Sequence, residues 1–244
     1  MKVKSLKRKT NDLAVGQPRR SVLLVDDHPL LREGIAALIR ATSDLRVSAE
    51  AGDTAAALAA LSEHVPDLLL LDISLPGANG IELLKDLHVR YPRMHVLVLS
   101  MHEESFYAER ALRAGANGYI MKQESGAKVI DAIRCVLRGE VYVSPALASR
   151  LLRLFVSNKN GKDTRDSVER LSDRELQVYT FIGGGLSSQE IADKLKLSIK
   201  TIQTYREHIK SKLGLRNATD LVYHATHWVE NELKEPSAKV RQDA

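Results

Sequence analysis

Residues 67–80 (DLLLLDISLPGANG) constrain the fold more than any other stretch of the chain. Four consecutive leucines are too short a run for a typical helix, and they end at residues that favour turns. This pattern is typical of a strand buried on both faces of a parallel sheet. Asp72 follows the apolar run directly, so we expect its carboxylate at the carboxyl end of a strand, where open α/β sheets bind ligands.

Other short apolar segments alternate with segments of helical spacing on both sides of this strand. Strands are predicted at residues 21–25, 47–51, 95–99 and 118–121, and helices at 30–40, 53–62, 79–90, 104–113 and 125–138. Five strand–helix units in about 120 residues predict a (βα)5 α/β domain with a doubly wound parallel sheet.

Polar residues stand at the ends of four of these strands. Asp26 and Asp27 follow the first strand, Asp72 the third, Ser100 the fourth and Lys122 the fifth. Taken singly, the aspartates could equally be a helix cap or turn residues. Together, carboxylates this close repel one another unless a hard cation with oxygen ligands, most often Mg²⁺, offsets their charge. Lys122 adds a positive charge that suits a phosphoryl oxygen, and Ser100 adds a hydroxyl group. Together these residues predict a phosphoryl-accepting site.

Charge is distributed unevenly along the chain. The net charge is +6 over residues 1–20, −5 over residues 21–145 and +4 over residues 146–244. The basic C-terminal part suggests a second module that faces a polyanion, although ordinary surface charge would look the same. No apolar run reaches the ~18–20 residues of a membrane span, and residues 1–10 lack the apolar core of a secretory signal. With a single cysteine, Cys135, the chain is expected in the cytoplasm.

The C-terminal part contains the start signals of several short helices. Residues 145–155 form an amphipathic helix and residues 157–170 are polar, so the latter are predicted to be a flexible linker. Ser172 with Glu175, and Ser187 with Glu190, have the spacing of a capping box. Two helices that meet at Lys196-Leu197, the second over 198–213, predict a helix-turn-helix, and a helix over 218–228 closes the bundle.

The second helix of this pair carries a surface suited to DNA. Ile202, Ile209 and Leu213 form its apolar stripe. Candidate base-reading residues on the opposite face are Lys200, Gln203, Thr204, Glu207 and Ser211, with Gln203 the best hydrogen-bonding reader. Arg206, Lys210, Lys212 and Arg216 suit phosphates. The remaining predicted DNA-binding residues are Thr201, Ser188 and Gln189.

Residues 21–140 resemble the receiver domain of bacterial two-component response regulators through the motifs VDDHPLLREGI, DISLPGANGIELL, VLSMH and GANGYIMK. The resemblance implies that a sensor histidine kinase phosphorylates Asp72. It implies that Asp27 binds Mg²⁺ directly and Asp26 through water, with Asp72 and the Ser74 carbonyl as further ligands. Ser100 and Lys122 would contact the phosphoryl group, Tyr119 would be the switch aromatic, and His102 would tune dephosphorylation.

Residues 170–228 resemble the LuxR-type DNA-binding domain, in LSDRELQVYTFIGGGLSSQEIADKLKLSIKTIQTYREHIKSKLGL. Receiver plus this domain is the architecture of NarL/FixJ-type response regulators, and it implies a homodimer on double-stranded promoter DNA when phosphorylated. Many relatives have basic residues where Gln203 and Glu207 stand, so the recognised base sequence does not carry over. The predicted division is an N-terminal arm (1–20), a receiver (21–140), a connecting helix and linker (141–170), a DNA-binding domain (171–230) and a flexible tail (231–244).

The sequence thus predicts a phosphorylation-switched transcription regulator that is not an enzyme, beyond the receiver's own phosphoryl transfer to and loss from Asp72. Two other functions remain open. The C-terminal bundle could bind a protein in place of DNA. A Mg²⁺-dependent phosphohydrolase would use Asp72 on small phosphoesters, although nothing in the sequence forms a substrate pocket.

Overall fold

A computed structural model of the chain describes residues 18–75, 79–101, 104–157, 168 and 170–234. The first domain consists of alternating strands and helices: β1 (Arg20–Val25), α1 (Pro29–Arg40), β2 (Leu45–Ala51), α2 (Thr54–Glu63), β3 (Leu68–Asp72), α3 (Gly80–Arg90), β4 (His95–Ser100), α4 (Glu104–Arg113), β5 (Gly118–Met121) and α5 (Gly126–Leu137). Helix α6 (Pro145–Ser157) follows. The second domain contains α7 (Asp173–Gly183), α8 (Ser188–Leu195), α9 (Ile199–Leu213) and α10 (Ala218–Lys234).

The five strands form one parallel sheet in the order β2-β1-β3-β4-β5. This is the predicted doubly wound fold. The direction of strand order reverses between β1 and β3, so the carboxyl ends of these two strands border the crevice where such sheets bind ligands.

Alternate residues of each strand pack into two different cores. One core, against α1 and α5, includes Val22, Leu24, Leu68, Leu70 and Ile133. The other lies on the α2–α4 side and includes Leu23, Leu69, Leu71, Val98 and Tyr119. Both faces of the central strand β3 are therefore buried, which is why its sequence is continuously apolar.

The second domain is a helix-turn-helix bundle whose helices begin at the predicted caps. Both capping boxes form, Ser172 with Glu175 on α7 and Ser187 with Glu190 on α8. Ser198 accepts a hydrogen bond from the Thr201 N–H, 3.0 Å, at the start of α9. Lys196 makes the turn between α8 and α9 in the left-handed conformation, with φ of 51°.

Three segments differ from the predicted division of the chain. Arg20, assigned to the arm, starts β1, because its guanidinium binds Asp67 at 2.8 Å and its N–H binds the Asp44 carbonyl. Helix α10 continues to Lys234, into the predicted tail. Val168, inside the predicted linker, is fully buried in the α2–α4 core, which continues into the helical domain through Val168, Leu171 and Leu176.

Among the described residues, no helix combines the length and the apolar character that crossing a membrane would require.

Candidate functional site

Strand register brings the predicted polar residues to one edge of the sheet. Val25 pairs with Leu71 across β1 and β3, so Asp26 and Asp72 lie side by side, one residue further along. Asp72 pairs with Leu99 on β4, and Ser100 pairs with Met121 on β5. Ser100 and Lys122 therefore come to the same edge as the two aspartates.

Lys122 connects the buried carboxylates. Its Nζ atom lies 2.7 Å from Asp72 Oδ2 and 2.8 Å from Asp26 Oδ2. Its side chain is only 2% exposed, and Asp26 and Asp72 are buried. The ammonium group is thus fixed within hydrogen-bond reach of the carboxylate predicted to take the phosphoryl group.

Burial and hydrogen bonding shift the pKa of Asp72 in opposite directions. Burial raises the pKa of the Asp72 carboxyl above its ordinary value, while the Lys122 ammonium and the Ser74 N–H, 2.7 Å from Oδ1, act to lower it. Burial is the larger effect because water cannot solvate a carboxylate in the interior. A cation added near Asp72 would therefore favour the ionised form.

The side chains of Asp26, Asp27, His28 and Asp72 form a cluster whose possible ligand atoms all lie within 4.8 Å of one another. The buried Asp27 Oδ1 accepts no well-formed hydrogen bond from the described residues, although His28 Nδ1 is 2.8 Å away. Three carboxylates with an unsatisfied oxygen make a donor set that a hard divalent cation matches. Ser74, whose carbonyl is the fourth predicted ligand, lies in the turn directly after Asp72.

His28 is a member of this cluster that the sequence did not single out. Its N–H donates to Asp26 Oδ1 at 2.8 Å, and its Nδ1 lies 3.4 Å from Lys122 Nζ. The signal was available, since His28 follows two aspartates at a strand end. The direction of its ring, however, depends on the turn into α1.

The predicted switch residues Ser100 and Tyr119 are both completely buried, the first at the end of β4 and the second in β5. The Ser100 carbonyl accepts a hydrogen bond from the Lys122 N–H, 2.7 Å, which joins the ends of the two strands. His102 lies outside the described residues.

On α9, the five predicted base-reading residues, Lys200, Gln203, Thr204, Glu207 and Ser211, are all exposed, while Ile202 and Ile209 are buried. Leu213, the third residue of the predicted apolar stripe, is only half-buried. Arg206 and Thr201 are half-buried beside the reading face, and Thr201 Oγ1 lies 2.8 Å from Ser198 Oγ.

Several of the lysine and arginine side chains predicted to bind DNA form ion pairs within the domain. Lys210 pairs with Glu207 at 2.9 Å, and Lys212 pairs with Glu175 at 2.6 Å, where it ties α9 to α7. Arg216 pairs with Asp220. On α8, Gln189 is exposed and donates to Asp193, and Ser188 is half-buried at the helix start.

The sequence matches two protein families. Residues 22–134 match the response regulator receiver domain, and residues 169–225 match the bacterial regulatory proteins of the luxR family. The chain is 36% identical to the oxygen regulatory protein NreC of Staphylococcus aureus strain JH9 over 207 residues, which cover 84% of this chain and 95% of the relative.

The chain also resembles solved structures of response regulators. A LuxR-family two-component response regulator from Aurantimonas sp. SI85-9A1 is 34% identical, with a TM-score of 0.53, covering 57% of this chain and 99% of that one. RcsB from Salmonella enterica serovar Typhimurium, bound to promoter rprA in the presence of the phosphomimetic BeF3⁻, is 26% identical, with a TM-score of 0.57, covering 86% of this chain and 99% of RcsB. The chain therefore belongs to the LuxR family of two-component response regulators.

Proposed function

We propose that this response regulator is switched by phosphorylation of Asp72 and that the phosphorylated form dimerises on promoter DNA to regulate transcription. The observation that carries the proposal is the Lys122 bridge between buried Asp72 and Asp26 at the sheet edge, in one chain with an exposed helix-turn-helix reading face.

In the reaction we propose, an Asp72 carboxylate oxygen attacks the phosphorus of a phosphohistidine on a sensor kinase. The new P–O bond forms as the P–N bond breaks, and the imidazole leaves with the electron pair. Lys122 Nζ, 2.7 Å from Asp72 Oδ2, is in reach of a phosphoryl oxygen and offsets its charge. Loss of the phosphoryl group to water would regenerate the carboxylate.

Mg²⁺ is the cation we assign to the site, held by Asp26, Asp27, Asp72 and the Ser74 carbonyl. When bound, it would neutralise the carboxylates and the oxygens of the incoming phosphoryl group. The buried and unsatisfied Asp27 Oδ1 supports this assignment.

Ser100 and Tyr119 are the residues we assign to the switch. Ser100 would bind the phosphoryl group from the end of β4, and Tyr119 would repack in the apolar core next to α4. Both residues are buried on the adjacent strands β4 and β5, two residues apart in register, which supports a coupled movement because a packed core has discrete arrangements.

The DNA partner is inferred from the helix-turn-helix and from RcsB, which has been solved bound to a promoter and as two dimers on two parallel DNAs. Together with a sensor kinase, this partner would locate the protein in the cytoplasm. The residues we assign to DNA contact are Lys200, Thr201, Gln203, Thr204, Arg206, Glu207, Lys210, Ser188 and Gln189.

The proposal is tested by selecting bound fragments from random DNA and then measuring affinity for the selected duplex with and without acetyl phosphate. For the wild-type chain, we expect the phosphodonor to increase the affinity about tenfold or more and to shift the mass in light scattering to a dimer. Asp72→Asn should abolish both responses because no acyl phosphate can form. Asp131→Asn, an exposed residue of α5, is the matched control and should respond like the wild type.

An Asp72→Asn variant that still responded to the phosphodonor would contradict the switch. If no DNA fragment were retained under either condition, the C-terminal bundle would instead be a protein-binding module.

A further inference from the structure

The imidazole of His28 lies at the open side of the carboxylate cluster. Its Nδ1 atom is 2.8 Å from Asp27 Oδ1 and 3.2 Å from Asp26 Oδ1. The His28 side chain is 59% exposed, whereas the side chains of Asp26 and Asp72 are almost completely buried. A cation that enters the cluster from solvent therefore meets a ring nitrogen as well as carboxylate oxygens.

Arg32 of α1 holds the turn that carries these groups. Its Nη1 atom donates to the Asp26 carbonyl at 2.6 Å, and its N–H donates to the His28 carbonyl at 3.0 Å. The His28 N–H donates in turn to Asp26 Oδ1 at 2.8 Å. Because the backbone on both sides of Asp27 is fixed, the imidazole is held beside the carboxylates before a cation binds, which lowers the entropic cost of binding.

The contacts of His28 Nδ1 favour a lone pair on this atom. The Lys122 Nζ atom lies 3.4 Å away, and an ammonium group can only donate. A proton on Nδ1 would suit the contact with Asp26 but would leave Lys122 facing another donor. Asp27 Oδ1 accepts no well-formed hydrogen bond from the described residues, although Nδ1 is so close. A lone pair at this distance is repelled by the carboxylate oxygen, and a cation bound to both atoms removes the repulsion.

The spacing and the charge of the cluster match a divalent cation. Neighbouring ligands of an octahedral ion with bonds of about 2.1 Å lie about 3.0 Å apart. The separations of 2.8 and 3.2 Å between Nδ1 and the two carboxylate oxygens lie on either side of this value. When Asp26, Asp27 and Asp72 are ionised, these carboxylates and the Lys122 ammonium carry a net charge of −2. A neutral imidazole adds a ligand without changing this balance.

A nitrogen ligand distinguishes transition cations from Mg²⁺. Mg²⁺ binds carboxylate, carbonyl and water oxygens and gives up its water reluctantly. Imidazole suits iron, nickel and the other later first-row cations, whose affinity for a given site rises from Mn²⁺ to Cu²⁺. A site with three carboxylates and one imidazole therefore gains more from such a cation than a site with oxygen ligands alone.

We propose that His28 Nδ1 is a ligand of the cation at this site and that it raises the affinity for Fe²⁺, Co²⁺ and Ni²⁺ relative to Mg²⁺. The inference rests on the cation site of the proposed function and adds the residue that sets its metal preference. Mg²⁺ fills the site when it is in large excess, and a small amount of a transition cation competes with it.

The test compares His28→Gln with His64→Gln in the full chain. Glutamine replaces the ring nitrogen by an amide oxygen, which hard cations accept. His64 is exposed and precedes β3, at the opposite edge of the sheet, so its substitution removes an imidazole without touching the cluster. Isothermal titration calorimetry at pH 7.5 gives the Kd for Co²⁺ and for Mg²⁺, and their ratio is the metal preference. We expect His28→Gln to lower this preference about tenfold or more, and His64→Gln to keep the wild-type value.

Proton NMR of the Co²⁺ form shows whether the ring itself is bound. Direct coordination to paramagnetic Co²⁺ shifts the imidazole ring protons far outside the ordinary range. These resonances should be present in the wild type and in His64→Gln and absent in His28→Gln. His28→Asn is a second variant, because His28 is the N-cap of α1 and asparagine is favourable there. It should lose the preference in the same way, and circular dichroism in EDTA confirms that each variant is folded.

An unchanged ratio of affinities in His28→Gln would overturn the proposal, as would equal losses in His28→Gln and His64→Gln. Tight Co²⁺ binding by Asp27→Ala would place the cation elsewhere and would also overturn it. Every measurement is made without phosphodonor or DNA, so these outcomes leave the proposed switch intact. Conversely, a wild-type chain that failed to respond to the phosphodonor would leave the metal preference unchanged.

Discussion

Asp72 is a carboxylate in a place where water does not reach it. Burial raises its pKa, so the folded chain binds the proton of Asp72 more tightly than the unfolded chain does. The stability that follows from this difference is present below the unfolded pKa of about 4 and is lost as the pH rises through the folded pKa. At neutral pH and without a cation, the ionised Asp72 therefore costs stability.

Asp72→Asn should accordingly be more stable than the wild type in EDTA at pH 7.5, by about 1 kcal/mol, or ~2–4 °C in Tm for a chain of this size. The difference should shrink as the pH falls through the raised folded pKa of Asp72, where the wild-type carboxyl becomes protonated, and should be smallest below the unfolded pKa of about 4. Excess Mg²⁺ should raise the Tm of the wild type more than that of the variant. Thermal melts followed by circular dichroism measure all three effects.

Asp131→Asn serves as the control for loss of a negative charge and should show no such pH dependence. If Asp72→Asn were less stable than the wild type in EDTA, the stabilisation from the ion pair between Lys122 and Asp72 would be larger than the cost of burying the Asp72 carboxylate.

The site residues differ in how well the sequence could predict them. Asp26, Asp72 and Lys122 directly follow apolar strands, so parallel register alone brings them together. The ring position of His28 depends on a turn that no periodicity describes. Outside the site, Arg110 of α4 pairs with Asp173 of α7 at 2.8 Å, although the two are 63 residues apart in separate domains and nothing in either local pattern indicates the other.

At the scale of the element, the start of α3 is packed against the turn that follows Asp72. A Cβ atom added to Gly80 would lie 2.4 Å from the Ile73 Cα and 2.5 Å from its carbonyl oxygen. These are backbone atoms, so relief requires the turn itself to move. That turn also carries Ser74, whose N–H binds Asp72.

Gly80→Ala should therefore destabilise the chain by about 1–3 kcal/mol and weaken Mg²⁺ binding at the same time. Urea unfolding and isothermal titration calorimetry with Mg²⁺ measure the two effects. Gly34→Ala is the control, because a Cβ at this exposed position of α1 meets nothing within 4 Å and should stabilise the helix by about 0.5–1 kcal/mol. A Gly80→Ala variant as stable as the wild type would contradict the packing argument.

Helix starts were more predictable than helix ends. Ser172, Ser187 and Ser198 cap their helices through local side-chain hydrogen bonds, which sequence spacing reveals. The end of α10 carries no such signal, and the helix passes the predicted limit at Trp228 to reach Lys234.

At the scale of the whole molecule, the ends of the chain differ in charge. Residues 2–17 carry five basic side chains and one acidic side chain, whereas residues 235–244 are neutral overall. Basic residues near DNA release counterions and make binding depend on salt. Arg20 belongs to β1, so a deletion that leaves the sheet intact must end before Arg20.

Deletion of residues 2–17 should therefore reduce the slope of log K against log salt by up to about four on the selected duplex. Fluorescence anisotropy at several salt concentrations gives the slope. Deletion of residues 235–244 is the matched control and should leave it unchanged. Equal slopes for the full and N-terminally truncated chains would show that the arm does not contact DNA.

The exit of the chain from the receiver is tied to the switch strand. Tyr142 donates to the Asn117 carbonyl, and its own carbonyl accepts from the Tyr119 N–H at 2.8 Å, so the segment before α6 runs along the free edge of β5. The tether to the DNA-binding domain is thus anchored on the same backbone as the buried aromatic. A shift of β5 would therefore move the start of the segment that leads to the second domain, as well as the receiver surface that contacts this domain.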